Sequence, residues 1–165
     1  MPDTHDILEG IASGRMERIV IGKLAMDTDL LEGVEELAKR ERIRTGLILS
    51  GVGALKKATF RNVKTMPPDL KVKKQHRAYL ELNQQMEIVS LTGWIGTKEN
   101  GETEVHAHFS ASTVIEDKIV TLGGHLIHGA IASIKVVVAI GVIEETNIRA
   151  VLDSRIDQID LRLPA

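Results

Sequence analysis

The sequence predicts an α+β fold, a mainly antiparallel (mixed) twisted β-sheet with one long helix packed on a face. Three observations carry that prediction. A helical apolar period occurs in one long segment, residues 29–42. From Gly46 onward, β-branched and apolar runs recur between turn-forming residues. Most of the connections are also too short for the crossover of a dozen or more residues that a parallel pair requires.

Taken in order, residues 18–26 are β-branched and apolar and form the first core strand. Asp29 then caps a helix, with Glu32 placed to reach back, and Leu30, Leu31, Val34, Leu37 and Ala38 make its apolar stripe. The basic run Lys39, Arg40 and Arg42 lies near its C-terminus, where the helix dipole favours cations. Residues 47–50 read as a buried strand, Gly51-Val52-Gly53 as a tight turn, and residues 58–63 as the continuation or partner of that strand. Pro67 and Pro68 interrupt regular structure because neither can donate to a ladder. Further strands are expected at residues 78–82, 86–93, 104–111, 118–122 and 135–143, with a polar loop at 96–101. No repeat or linker divides the chain, so residues 1–165 are read as one domain with its core at about 18–145. A polar N-terminal lead and a C-terminal extension flank that core.

Composition narrows the function. At 165 residues the chain can bury a core without covalent staples, and its zero cysteines exclude disulfides, thiolate-bound zinc and thiol nucleophiles. A reducing, cytoplasmic setting follows as the expectation. No apolar run approaches the roughly 20 residues of a membrane span, and the N-terminus lacks the pattern of a secretory signal. With 21 basic and 23 acidic residues the formal charge is −2, so DNA has to be argued from a local patch. The dense patch is the segment from Lys71 to Arg77, which reads as a solvated loop because no recognition helix or aromatic interleaving accompanies it. Phe60, Tyr79, Trp94 and Phe109 are the whole aromatic complement, too few to suggest stacking on unpaired bases.

The chemistry concentrates in Glu104-Val105-His106-Ala107-His108-Phe109-Ser110. Strand alternation places Val105, Ala107 and Phe109 toward the core and His106, His108 and Ser110 on the other face. Two imidazoles so placed stand roughly 6.5–7 Å apart at Cα, from which both can reach one ion. An isolated His-x-His on a polar strand face is more often an incidental surface cluster, so a third ligand decides the matter. His125, in Gly123-Gly124-His125-Leu126, is the first candidate; His128 is the reserve, and Glu87 or Glu104 could add a carboxylate as ligand or support. Three protein ligands with a fourth position open describe a reactive or ligand-binding zinc site.

At these residues the sequence resembles the plant and prokaryote conserved (PPC) domain. The resemblance rests on Gly51-Val52-Gly53 with Ala58-Thr59-Phe60-Arg61, Met86 to Gly93, His106-Ala107-His108 and Gly123-Gly124-His125-Leu126, and it covers about residues 18–144. It implies a compact α+β fold, a homotrimer, and a divalent metal, zinc first, held by the three histidines. Relatives of this kind carry a DNA-binding label, inherited from plant members that grip DNA through an AT-hook. This chain has no Arg-Gly-Arg-Pro core, so the label has no such support here.

Two further side chains matter. Arg61 could contact an anionic ligand near the metal, although a strand-end arginine is more often a solvated or paired charge. Glu87, between Met86 and Ile88, is expected in a well-buried strand and so to need a partner, either a structural hydrogen bond or a catalytic proton. The expected function is a homotrimeric metal-binding protein acting as a small-ligand or regulatory binding module, whose ion accepts an anionic or carbonyl oxygen. The alternative is a metal-dependent hydrolase or lyase that activates a water with Glu87 or Glu104 as proton carrier. The apolar strands at Ile88-Val89 and residues 136–140 exceed what one helix can cover, which points independently to assembly.

Overall fold

The computed structural model of the protein describes residues 9–144 and 146–164. Its strands are β1 (Arg15–Leu24), β2 (Gly46–Val63), β3 (Arg77–Leu82), β4 (Met86–Thr97), β5 (Thr103–Ile115), β6 (Lys118–Leu126), β7 (Ile131–Glu144), β8 (Arg149–Asp153) and β9 (Gln158–Arg162). Helix α1 (Leu30–Arg40) joins β1 to β2, and a single 3-10 turn (Lys74–His76) precedes β3.

Seven strands form one sheet in the order β1-β7-β2-β4-β5-β6, with β3 also paired to β2. Every strand pairing in it is antiparallel, as the short connections require. Strand β2 organises the rest. Gly46 pairs with Ile95 of β4 on one side and with Val142 of β7 on the other, while Phe60 pairs with Leu80 of β3 and Leu126 of β6. The 18-residue strand therefore serves two neighbours along each edge. Because β4, β5 and β6 follow one another and β6 then meets β2 at Phe60 and Arg61, this part of the sheet closes on itself.

Closure makes an inside. Leu55, Phe60, Met86, Leu91, Ile95, Phe109 and Leu126 are buried there, and the Phe60 and Phe109 rings stack with centroids 4.9 Å apart. Apolar burial of this kind supplies the main favourable term in folding. Helix α1 adds Leu30, Val34 and Ala38 to the same cluster. Its N-cap is Asp29, whose Oδ1 accepts from the backbone N–H of Leu31 (3.0 Å) and Glu32 (3.3 Å). The other oxygen accepts from Gly129 N–H at 2.7 Å, tying the helix start to the β6–β7 connection.

Two expectations need correction. Gly51-Val52-Gly53 is no turn, since β2 runs straight through it. A Cβ on Gly53, at φ 152°, would lie 2.1 Å from the Lys135 carbonyl oxygen, so this glycine admits the close approach of β7. Glu87 is exposed, because Met86 and Ile88 point inward and alternation sends the residue between them outward. The C-terminal extension carries structure of its own, the β8–β9 hairpin, whose Ala150 forms a bridge with Lys98 just beyond β4. Among the described residues no helix is long and apolar enough to cross a membrane.

Asp29 is 8% exposed and holds three backbone donors. Asp29→Ala should therefore lower unfolding stability by about 2 kcal/mol, at the upper end for a lost N-cap, because Gly129 N–H loses its acceptor too. A denaturant titration measures this, and Asp29→Asn should recover the cap's share of the loss, because an amide oxygen still accepts from Leu31 and Glu32 while Gly129 N–H stays without its acceptor.

Candidate metal centre

The site grows from strand alternation and one closure. On β5, Ala107, Phe109 and Ala111 point into the core, which leaves His106 and His108 on the outer face. His108 pairs with His125 of β6, and His125 pairs in turn with Arg61 of β2. Directly opposed antiparallel residues point to the same side of a sheet, so all four side chains share one surface. Gly124 is what lets β6 arrive: a Cβ there would stand 2.8 Å from the Arg61 carbonyl oxygen.

The three imidazoles converge. Ring centroids lie 5.5 Å apart for His106 and His108, 4.6 Å for His106 and His125, and 5.0 Å for His108 and His125. The His125 ring stands nearly perpendicular to the other two, at 88°. One ligand nitrogen from each residue lies within 4.8 Å of the others. A tetrahedral ion with bonds of about 2.0–2.1 Å would hold such nitrogens about 3.4 Å apart, a difference within reach of small side-chain rotations. The donor set also fits, since imidazole suits zinc and other late divalent metals. Trp94, opposite His106 on β4, stacks on that ring with centroids 5.1 Å apart and walls one side of the cluster.

The electrostatics favour the metal-ready protonation state. Burial pushes the His125 imidazole down from its ordinary value of 6.5 to about 3, helped by the Arg61 guanidinium and the two neighbouring histidines. Burial likewise lowers His106, with His108 adding to the effect, while Asp160 and Glu104 pull the other way. Neutral imidazoles offer lone pairs and imidazolium does not. Arg61, half-buried, is itself lowered, by burial first and then by Arg77.

Other candidate residues fall outside the cluster. His128 is exposed and its Nδ1 lies 3.4 Å from Asp29 at the helix cap. Glu104 sits on the same strand face as His106, but its carboxylate is engaged by Lys98 at 3.4 Å. Glu87 pairs with Ser112, four strand positions from His108 and so about 13 Å along β5. Arg77, read from sequence as the end of a solvated basic loop, opens β3 and lies close enough to act on both Arg61 and His125. The alternation of Arg77, Tyr79 and Glu81 along that strand was the available signal. Asp160, in the C-terminal hairpin, carried none.

The sequence profile of the Plants and Prokaryotes Conserved (PCC) domain matches residues 11–144. The chain belongs to that family. Solved structures share the PCC fold at low identity. A metal-containing protein from Archaeoglobus fulgidus is 19% identical, with a TM-score of 0.73 over 92% of this chain and 98% of that one. A plant- and prokaryote-conserved protein from Pyrococcus horikoshii is 22% identical, with a TM-score of 0.71 over 96% and 100%. A candidate DNA-binding protein from Bacteroides thetaiotaomicron is 19% identical, with a TM-score of 0.69 over 92% and 97%. A search of curated proteins gave no match.

The depressed His125 has a measurable consequence in metal-free protein. Between pH 6.5 and about 3 the unfolded chain takes up a proton at this residue and the folded chain does not. Folding stability should therefore fall as pH drops through that window, by linkage. In His125→Gln this component vanishes, so the gap between variant and wild type should narrow or reverse toward acid pH in parallel denaturant titrations. A pH-independent gap would contradict the assignment.

Proposed function

We propose that this PCC-domain protein is a homotrimer that holds one divalent metal ion, zinc first, through His106, His108 and His125, and uses its open position to bind a small ligand. The observation that supports this reading is the convergence of three imidazoles, with ligand nitrogens within 4.8 Å of one another, on an outward-facing surface. Bound there, the ion would supply a Lewis-acidic position for a ligand oxygen. The chain's own contributions are to bring three imidazoles together, to favour the neutral form of His106 and His125 by burial, to wall one side with Trp94, and to present Arg61 beside His125.

A binding or regulatory module is favoured over a hydrolase or lyase by the carboxylates. Glu87 is remote, and Glu104 is paired with Lys98, so neither is free to carry a proton at the open side. DNA contact has little support, since the formal charge is −2 and the basic segment before β3 lies apart from any recognition helix. A cytoplasmic, single-domain protein fits the absence of cysteine and the single core.

The trimer is supported by exposed apolar side chains on the outer sheet. Ile19, Gly141, Leu47 and Trp94 are successive cross-strand partners over β1, β7, β2 and β4; Ile19 and Leu47 are exposed, Gly141 is covered by Met16 and Leu49, and the row ends on His106. Beside it, Ile21 is 71% and Val52 65% exposed. Surface of this kind is usually covered by another chain, and a closed ring covers it on every subunit.

Protein purified without a nickel column should contain close to one zinc per chain by elemental analysis. His106→Ala, His108→Ala or His125→Ala should each lower metal affinity by at least about 100-fold, the loss of one of three ligands. Metal content that survives all three substitutions would sink the assignment. Light scattering should give about three times the 18.1 kDa chain mass, and Val137→Glu, which sets a charge between Lys23 and Val52 on that face, should shift the mass toward monomer. A wild-type monomer at micromolar concentration would defeat the trimer.

A further inference from the structure

Half-burying a guanidinium beside a cation site is unfavourable twice over. The charge loses water, and it repels any ion held by the histidines. Arg61 nonetheless stands directly across from His125, and Arg77 enters the same surface from β3, two positions from Tyr79, which is the other cross-strand partner of Arg61. Among the described residues neither arginine makes an ion pair with a carboxylate; Arg77 donates to the Val72 carbonyl at 3.2 Å. The acidic groups near the cluster, Asp160 and Glu104, act on His106 at the opposite end. The surface is thus polarised, basic beyond His125 and acidic beyond His106.

We infer that Arg61, with Arg77 and Tyr79, forms an oxyanion subsite next to the histidine cluster, taking the carboxylate or phosphate group of a small acidic ligand. The planar fork of arginine matches two oxygens of either group. An anion there neutralises the paired guanidinium charges, and a second oxygen of the same group faces the histidines. The subsite rests on the metal reading only for that second oxygen; the arginines hold the first whether or not an ion is bound.

The test titrates inorganic phosphate and succinate, separately, into full-length protein, both metal-free and loaded with cobalt(II) as a spectroscopic stand-in for zinc. One of the two anions should bind metal-free protein at millimolar concentration or below, and which one does so separates the phosphate from the carboxylate class. Arg61→Gln should weaken that anion about tenfold or more, the loss of charged hydrogen bonds. Arg77→Gln should weaken it severalfold, and Arg61→Lys, which keeps the charge without the fork, should fall between wild type and Arg61→Gln. Cobalt alone should bind Arg61→Gln as tightly as wild type or tighter, since a repelling charge is gone, whereas a merely structural arginine would lose both ligands together. Neither anion binding to either form, or affinities within twofold of wild type in both Arg61→Gln and Arg77→Gln, overturns the subsite. Failure of cobalt to bind wild type removes the metal reading, and the metal-free titrations then decide the subsite alone.

Discussion

The contact between β6 and β2 is the constraint on which the rest of this molecule depends. It consists of two residue pairs, Phe60 with Leu126 and Arg61 with His125. Their side chains face opposite ways, as successive strand residues must. The inward pair seals the core, where Phe60 stacks on Phe109. The outward pair delivers His125 to His108 and sets Arg61 on the other side of His125. Core and candidate site are two faces of one short ladder, so a change that opens β6 from β2 disassembles both together. Burial under Phe60 and Leu126 thereby stabilises the placement of groups that contribute little to stability themselves.

That arrangement explains why a cluster of imidazoles can persist on a protein surface. Three histidines within 5.5 Å, centroid to centroid, would repel if protonated. The fold counters this at His106 and His125 by partial burial, with His108 beside the first and Arg61 next to the second making a further positive charge unfavourable. The same desolvation that favours the neutral form of His106 and His125 leaves their lone pairs under-used. A divalent ion satisfies them, and it does so without displacing a proton from His125 at neutral pH.

How much of this was legible in the sequence depended on range. Period-2 alternation through His106, Ala107 and His108, and period-3.6 spacing in Leu30, Val34 and Ala38, are local signals, and both led to the observed element and face. The outward turn of Glu87 was available from the same alternation and was missed because flanking hydrophobics suggested burial on both faces. Gly51 and Gly53 misled for a different reason. Glycine marks either a bend or a close neighbour, and only the register against β7 shows that a neighbour is meant. Choosing His125 over His128 likewise needed the long-range fact that β6 pairs with β5 at His108, while His128 falls beyond the strand and meets Asp29 instead. The C-terminal hairpin gave no local warning, yet it brings Asp160 within electrostatic reach of His106.

If a second subunit seats on the outer sheet as proposed, the row that runs through exposed Ile19 and Leu47 would link assembly to chemistry. An apolar patch far from any site serves association alone, but here Ile19, Gly141 and Leu47 lead to Trp94, and Trp94 is the wall of His106. A subunit seated on that row would exclude water from the Trp94 side of the cluster, leaving Arg61, Arg77 and Tyr79 to border the opposite side. Desolvation from one flank and cationic groups on the other would strengthen attraction for an anion, because charges interact more strongly as the surrounding dielectric falls. Ligand affinity and assembly would then be coupled through the indole ring: whatever loosens the packing of Trp94 on His106 weakens both, although Trp94 offers the ligand no charge of its own.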